Sequence, residues 1–331
     1  MIHDGLLGAI GETPLIRIDS LSRATGCSIL GKAEHLNPGG SVKDRPARFI
    51  VECAERDGRL RPGGTIVEGT AGNTGIGLAL VARARGHRCY VVVPHTMAPE
   101  KIALLRVLGA EVELVEPAPF SSERNYYHVA RRRAEELSGG FFADQFENPA
   151  NFEAHYRTTG PELWRDSGGA LDGVVMAAGT GGTIGGVSAY LKERAPGLAV
   201  WLIDPPGSGL HALVTEGRIA ASGCSITEGI GIGRETANFR RARLDGSMQG
   251  TDREAVEMAH FLLRRDGLFL GGSAALNCVG AVRLARRLGR GARIATILCD
   301  GGARYASRLY DAGWLEERGL APRASDLEFL D

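Results

Sequence analysis

Two open, twisted, mostly parallel β-sheets flanked by helices are the expected fold of this α/β chain, and three features point to it. From Thr65 onward, short apolar runs alternate with glycine turns and amphipathic stretches in a repeated strand, turn, helix order. The same order restarts near Gly173. A length of 331 residues with 44% hydrophobic content suffices for one large α/β domain or two modest ones with filled cores.

The elements follow in order. Asn37-Pro-Gly-Gly-Ser-Val-Lys43-Asp-Arg sets a lysine after a flexible loop, and a helix is expected from about Arg45. Thr65-Ile-Val-Glu predicts a strand, followed by a helix from Asn73 to Arg85. Cys89-Tyr-Val-Val-Val and Glu111-Val-Glu-Leu-Val repeat the pattern, with helices from Ala98 to Leu108 and from Arg124 to Leu137. Such a run is a parallel sheet wrapped by helices. Gln145-Phe-Glu-Asn-Pro-Ala-Asn is rich in turn formers and marks a crossing point. Beyond it, Gly173-Val-Val-Met-Ala-Ala runs through a glycine loop into a helix and returns at Leu198-Ala-Val-Trp-Leu-Ile-Asp. An amphipathic helix from Asp252 to Arg265, a glycine-opened helix from Ser273 to Leu288 and the buried strand Arg293-Ile-Ala-Thr-Ile-Leu complete a second unit facing the first. The polar tail from Glu316 is expected to be loose.

Composition narrows the partners. Basic and acidic residues balance at 39 each and the isoelectric point is near 7.1, so neither nucleic acid nor an anionic membrane surface is indicated. No apolar run reaches the ~18 residues of a membrane span, and the first residues lack a basic and then apolar leader, so a cytoplasmic protein is expected. The six cysteines are scattered without ligand spacing and read as reduced thiols, with no metal site. Only four lysines (32, 43, 101 and 192) stand among the 39 basic residues, which leaves few candidates for amine chemistry.

Three segments carry that chemistry. Taken alone, Lys43 reads as a solvated surface charge; its neighbours in sequence argue otherwise. Ala178-Gly179-Thr180-Gly181-Gly182-Thr183 follows an apolar strand and opens a helix, so bare backbone N–H groups and two hydroxyls offer a phosphate cradle. A tight βα turn needing glycine for its backbone angles is the plainer alternative. No Gly-Lys-Ser/Thr follows and the dinucleotide spacing is absent, so a single phosphate fits best. Glu68-Gly-Thr70-Ala71-Gly72-Asn73-Thr74-Gly75 also opens a helix. Its amides and hydroxyls suit a carboxylate, the Asn73 amide suits a ring hydroxyl, and Asn73 or Thr74 could serve only as an N-cap.

Taken together, N-P-x-G-S-x-K-D-R, T-x-G-N-T-G, Q-F-x-N-P-A-N and G-T-G-G-T resemble the cysteine synthase family of pyridoxal phosphate enzymes, which includes the core of cystathionine β-synthase. The resemblance runs in order from Gly11-Glu-Thr-Pro-Leu to about Tyr305. It implies a fold-type II enzyme, similar to the tryptophan synthase β-subunit. It further implies a smaller mobile domain of residues 1–12 and 35–147 and a larger cofactor-binding domain of residues 13–34 and 148–331. Lys43 would form the internal aldimine with pyridoxal 5′-phosphate, Gly179, Thr180, Gly181, Gly182 and Thr183 would hold its phosphate, and Asn73 would contact its ring O3′. Thr70, Ala71, Gly72, Asn73, Thr74 and Gln145 would bind the substrate carboxylate, with Gly229 of Glu228-Gly-Ile-Gly facing the site. The implied activity is replacement of the β-substituent of an O-activated L-serine, O-acetylserine foremost, by sulfide to give L-cysteine through an α-aminoacrylate. Alternatives are condensation of serine with homocysteine, cysteine desulfhydration, serine or threonine dehydration, or a catalytically silent binding partner. A homodimer, and a serine acetyltransferase as partner, are implied by the resemblance only.

Three departures from the family pattern stand out. Ala71 replaces a serine common in the substrate loop, removing one hydroxyl worth roughly 0.5–1.5 kcal/mol. Asp300 stands where a serine commonly meets the pyridine nitrogen; a carboxylate there would favour a protonated ring and a stronger electron sink, unless it only caps the following helix. Gly271-Gly272-Ser273-Ala274 is closer to the cystathionine β-synthase order and leaves thiol specificity open. Arg234, just after Gly231-Ile-Gly, reads either as a surface arginine or as the reader of a phosphate on the donor.

Overall fold

The structure, a computed structural model, describes residues 2–330. In chain order its strands are β1 (Leu15–Arg17), β2 (Ser28–Lys32), β3 (Thr65–Gly69), β4 (Arg88–Pro94), β5 (Glu111–Val115), β6 (Gly140–Phe142), β7 (Gly173–Met176), β8 (Ala199–Asp204), β9 (Gly246–Gln249) and β10 (Arg293–Ile297). They form the two expected sheets. One is four-stranded and wholly parallel, in the order β5-β4-β3-β6. The other is six-stranded, in the order β1-β2-β10-β7-β8-β9, and is parallel except for the β1–β2 edge pair.

The continuous apolar runs are explained by burial on both faces. In β3 all five residues are buried, and successive side chains point to opposite sides of the sheet. Ile66 packs with Val91, Val93 and the helices Asp44–Arg56 and Asn73–Arg85. Val67 packs with Val92 and the helix Tyr126–Glu136. The larger sheet repeats the arrangement: Val175, Ile203 and Ile294 face the helices Asp252–Asp266 and Gly272–Leu288, while Val174, Met176, Val200 and Ile297 face Gly182–Arg194. Local signals set the helix ends. Thr251 and Glu254 form a reciprocal capping box at the start of Asp252–Asp266, and Gly267, at φ +67°, ends it in the left-handed conformation.

Four short strands escaped the sequence reading: β1 and β2 extend the six-stranded sheet, β6 closes the four-stranded one and β9 edges the larger one. Leu7 and Ile10 pack against the core of the four-stranded side. The tail is anchored, contrary to expectation. Leu327 and Leu330 are buried in the large core, and Glu257 accepts from the backbone N–H groups of Arg323 and Ala324 at 3.0 Å. Two buried leucines and a buried carboxylate outweigh the polar composition that suggested looseness. No helix of the described residues is long and apolar enough to cross a membrane.

What this architecture positions is a set of strand ends. The loops leaving the carboxyl ends of β3, β7 and β10 line one cleft, which is where open α/β sheets carry their ligands.

Candidate active site

Lys43 is pinned at the end of β10. Ser41 bridges to Asp300, and the Val42 N–H donates to the Cys299 carbonyl at 2.8 Å. The helix Asp44–Arg56 starts at once, with Lys43 as its N-cap residue. Behind it Arg45 is buried and gripped by Glu34 at 2.7 Å and Glu162 at 2.6 Å, and Lys32 joins Glu162 at 2.8 Å. Burial raises the Glu162 carboxyl, but Arg45 and Lys32 outweigh it and hold the group at about 2. This buried ionic cluster fixes the helix start that presents Lys43.

The four lysines differ in one respect that decides among them. Lys32 ends on Glu162 and Asp166, Lys101 on Glu228 and Tyr305, and Lys192 on Asp245. Among the described residues, the Lys43 amine has no hydrogen bond or ion pair, and it opens into the cleft. Burial pushes its pKa down from the usual amine value, while Cys299 and Asp300 pull modestly the other way. A lysine so placed holds more of its amine in the neutral, nucleophilic form.

Opposite lies the glycine loop after β7. Its helix, Gly182–Arg194, has Gly181 as N-cap, at φ +82°, and no cap from that residue's side chain; the Gly182 N–H donates to Thr180 Oγ at 3.3 Å, and the Thr183 and Ile184 N–H groups are left for a ligand. The plainer reading also holds. A Cβ on Gly181 would stand 2.4 Å from Phe239 Cα, and one on Gly182 would stand 2.0 Å from Asn151 Oδ1. The glycines are required by packing behind the loop, and that packing aims the loop into the cleft. Both hydroxyls are oriented from behind as well. Thr180 Oγ accepts from Asn151 Nδ2 at 3.0 Å, which leaves its own proton to donate forward. Thr183 Oγ lies 3.2 Å from His155 Nε2, and His155 Nδ1 lies 2.9 Å from Thr159 Oγ. His155 is fully buried; burial, aided by Arg45 and Lys43, keeps it neutral well below the usual imidazole range. The tautomer that serves an anion carries its proton on Nε2, donating to Thr183 and freeing the threonine proton. His155 opens a single π-helical turn, His155–Thr159, of the kind often found at functional sites.

The third wall is the loop after β3. The helix Asn73–Arg85 again has a glycine N-cap, Gly72, without a side-chain cap. Neither Asn73 nor Thr74 caps it. Thr74 donates to Gln145 Oε1 at 2.5 Å, and Gln145 Nε2 donates to Glu68 at 2.8 Å. Glu68 is fully buried, and burial raises its carboxyl to about 8. Asn73 is clamped from behind: its Nδ2 donates to Asp300 at 2.7 Å and its Oδ1 accepts from Arg304 at 2.6 Å.

The cleft so formed encloses about 830 Å³, open mouth included. Lys43, Thr70, Ala71, Gly72, Asn73, Thr74, Gln145, Gly179, Thr180 and Gly229 line it, and Gly181 and Thr183 line its inner end. Gly182 lines neither space. Asp300 is fully buried, and its Oδ1 has no hydrogen-bond partner among the described residues. Its Oδ2 is taken by Asn73 and, at 2.6 Å, by the Tyr305 hydroxyl, and the side chains facing the cleft near Lys43 are Cys299 and Ser273. It caps no helix either, because Gly271 and Gly301 hold the neighbouring N-cap positions. The reading from sequence also missed Tyr126, Phe146 and Ile230 in the wall, and His155 and Asn151 beneath the phosphate loop. Asn151 could have been found, since it ends the turn-rich Gln145–Asn151 segment; nothing in the sequence marks Tyr126.

An unpaired amine of lowered pKa facing two uncapped helix starts suits an aldehyde that also bears a phosphate, and a substrate that bears a carboxylate. The model of the family described as pyridoxal-phosphate dependent enzyme matches residues 6–300, and the chain belongs to that family. Within it, the chain is 52% identical over 324 residues to cysteine synthase 1 of Neurospora crassa, covering 96% of this chain and 86% of that one. It is 49% identical over 340 residues to the cysteine synthase of Dictyostelium discoideum, covering 100% and 89%. Among solved structures it superposes, with a TM-score of 0.84 and 35% identity, on an O-acetylserine dependent cystathionine beta-synthase from Helicobacter pylori, covering 93% and 98% of the two chains. The chain is thus a pyridoxal phosphate enzyme, and its residues fit the group: one free amine for the aldehyde, and donors without acceptors around the phosphate loop.

Proposed function

We propose that this enzyme exchanges the β-substituent of an O-activated L-serine, O-acetyl-L-serine before others, for sulfide. The balance is O-acetylserine plus bisulfide giving L-cysteine plus acetate. The observation that carries the reading is the unpaired Lys43 amine, held between two helix starts that have no cap of their own.

When bound, the cofactor supplies an electron sink conjugated to the substrate Cα. The rest of the work falls to the chain. The amides of Ala71, Asn73 and Thr74 would hold the substrate carboxylate together with the Thr70 hydroxyl, whose oxygen accepts from the Gly72 N–H at 3.1 Å, and Gln145 acts by fixing Thr74. Gly179 to Thr183 anchor the phosphate, with Asn151 and His155 turning the two threonine protons forward. Asn73, clamped by Asp300 and Arg304, presents its amide at the ring hydroxyl. Lys43 Nζ, once free, takes the Cα proton as general base; its depressed pKa suits it to that task at neutral pH. Closure of a smaller body, residues 1–12 and 35–147, over a larger one, residues 13–34 and 148–331, excludes water from the reacting centre. The enzyme acts as a cytoplasmic homodimer, with a serine acetyltransferase as a candidate partner.

Borohydride reduction followed by peptide mapping tests the core of this reading, the expected outcome being a phosphopyridoxyl group on the peptide containing Lys43. Mass spectrometry of products from O-acetylserine and sulfide tests the rest. An adduct on another lysine, or no cysteine formed, would sink it.

A further inference from the structure

Beside the cleft the chain builds a second chamber, for which bisulfide has no use. It encloses about 910 Å³, open mouth included, and is walled by Phe120, Tyr126, Tyr127, Phe146, Ile232 and Arg234. Tyr126, Phe146 and Ile232 also line the Lys43 cleft, so the two spaces adjoin across a shared wall. The Arg234 guanidinium lies 4.3 Å from the centre of the Phe120 ring, 5.1 Å from Phe146 and 5.7 Å from Tyr127. Three rings hold it in place with only 22% of the side chain exposed. Its Nη1 donates to Glu147 Oε1 at 2.5 Å, and the other Glu147 oxygen accepts from the Ala237 N–H at 2.9 Å. Glu147 is therefore spent on the protein. Arg234 keeps Nε and Nη2 without a partner among the described residues, and the Tyr126 hydroxyl at the junction has none either.

We propose that this chamber is a subsite for the group exchanged at Cβ, and that it takes an elongated, anion-terminated group whose carboxylate or phosphate oxygens accept from Arg234. The inference rests on the β-replacement reading above and names the substrate class of that site. Apolar walls suit a carbon chain, and the polar groups on offer are donors, which demand an acceptor at its end. Glu147 offsets the charge of Arg234, so recognition works through directed donors at close range and not through net field. Bisulfide, a single heavy atom, meets none of these groups. The anionic end has two sources: the leaving group of the donor, or a carboxylate-bearing thiol that attacks. In the second case the thiolate sulfur bonds to Cβ, the Cβ–O bond breaks with its electron pair, and acetate departs. The products are an S-substituted cysteine and acetate, and the thiol's carboxylate is unchanged.

The test compares matched pairs on the holoenzyme. With O-acetylserine as donor, kcat/KM per thiolate is measured for 3-mercaptopropionate and for 3-mercapto-1-propanol. With bisulfide as nucleophile, it is measured for O-phosphoserine and for O-acetylserine. An anion read by charge-assisted hydrogen bonds should be preferred at least about tenfold in one arm, and the arm that shows it names the source. Arg234→Met should lower that ratio at least about tenfold, and Arg234→Lys, which keeps charge but not the fork, should leave it between. Ratios at or below one in both arms of the wild type overturn the inference without need of a variant, as does a preference that survives Arg234→Met. Absence of any cysteine from O-acetylserine and bisulfide would instead bring down the β-replacement reading, and this one with it.

Discussion

Replacing His155 by alanine tests whether the phosphate loop is oriented from beneath. The imidazole spans Thr159 and Thr183 at 2.9 and 3.2 Å in a fully buried position. Its loss frees the Thr183 hydroxyl to turn away from the cofactor phosphate. A charge-assisted hydrogen bond contributes roughly 1.5–3 kcal/mol, so affinity of the apoenzyme for pyridoxal phosphate should fall roughly tenfold to a hundredfold. Fluorescence titration of the apoenzyme reads this directly, and the phosphorus NMR shift of the bound cofactor should move with it. His155→Gln, which keeps an amide donor, should recover part of both. Stability supplies a second signature. The folded imidazole stays neutral well below its usual range, whereas the unfolded chain takes up a proton as pH falls through about 6.5. Stability is therefore complete above 6.5 and declines below it by roughly 1.4 kcal/mol per pH unit until the folded group titrates; in His155→Gln this component of the acid decline disappears. Unchanged cofactor affinity and phosphorus shift in a variant that has merely lost stability would refute the positioning role.

Other perturbations probe the supports around the cleft. Glu68 is raised to about 8 by burial, so its proton is bound more tightly in the folded state, and stability should fall between pH 4.5 and 8 by roughly 1.4 kcal/mol per unit. Glu68→Gln, isosteric with the protonated acid, should flatten that slope in urea melts while leaving Gln145 its acceptor. Arg45→Ala leaves Glu34 and part of Glu162 uncompensated in a dry site and should cost roughly 3–5 kcal/mol in the same melts; a loss under 1 kcal/mol would mean the cluster does not hold the helix of Lys43. Gly181→Ala forces a side chain into a left-handed residue 2.4 Å from Phe239 Cα. It should weaken cofactor binding at least tenfold and lower the thermal midpoint, a strain of roughly 1–3 kcal/mol or more; equilibrium dialysis and calorimetry check the two effects.

How much of this was legible in the sequence depended on the range of the interactions. The helix Asn73–Arg85 has the limits read from the sequence because its signals are local: Gly72 before it and Gly86, at φ +73°, after it. The helix Gly182–Arg194 was expected after its glycine loop, though without limits, because that loop follows an apolar strand. β1 has three residues and is made a strand only by pairing with β2, which pairs in turn with β10 some 260 residues on; no local pattern encodes such a partner. Asp300 shows the limit within the site. Its neighbourhood at the end of β10 was readable, but which way its carboxylate points is decided by Asn73 and Tyr305, brought in from separate elements. His155 was invisible for a like reason, since its function exists only once a π-turn sets it beneath a loop 28 residues later.

The contrast among the lysines follows from the same logic of burial. Lys32 and Lys101 are buried more completely than Lys43, yet each meets a carboxylate, which compensates the desolvation of the amine. Lys43 sits in the cleft with no counter-ion in contact, so desolvation acts on it unopposed except by the more distant Cys299 and Asp300. Folding gains nothing from that arrangement, because an amine left without a partner in a partly dry site is destabilising. Such a cost persists where a bound partner would offset it, and an aldehyde held at this amine would be such a partner. The feature that costs the fold stability is thus the one on which the proposal of this lysine, of four, for the chemistry rests.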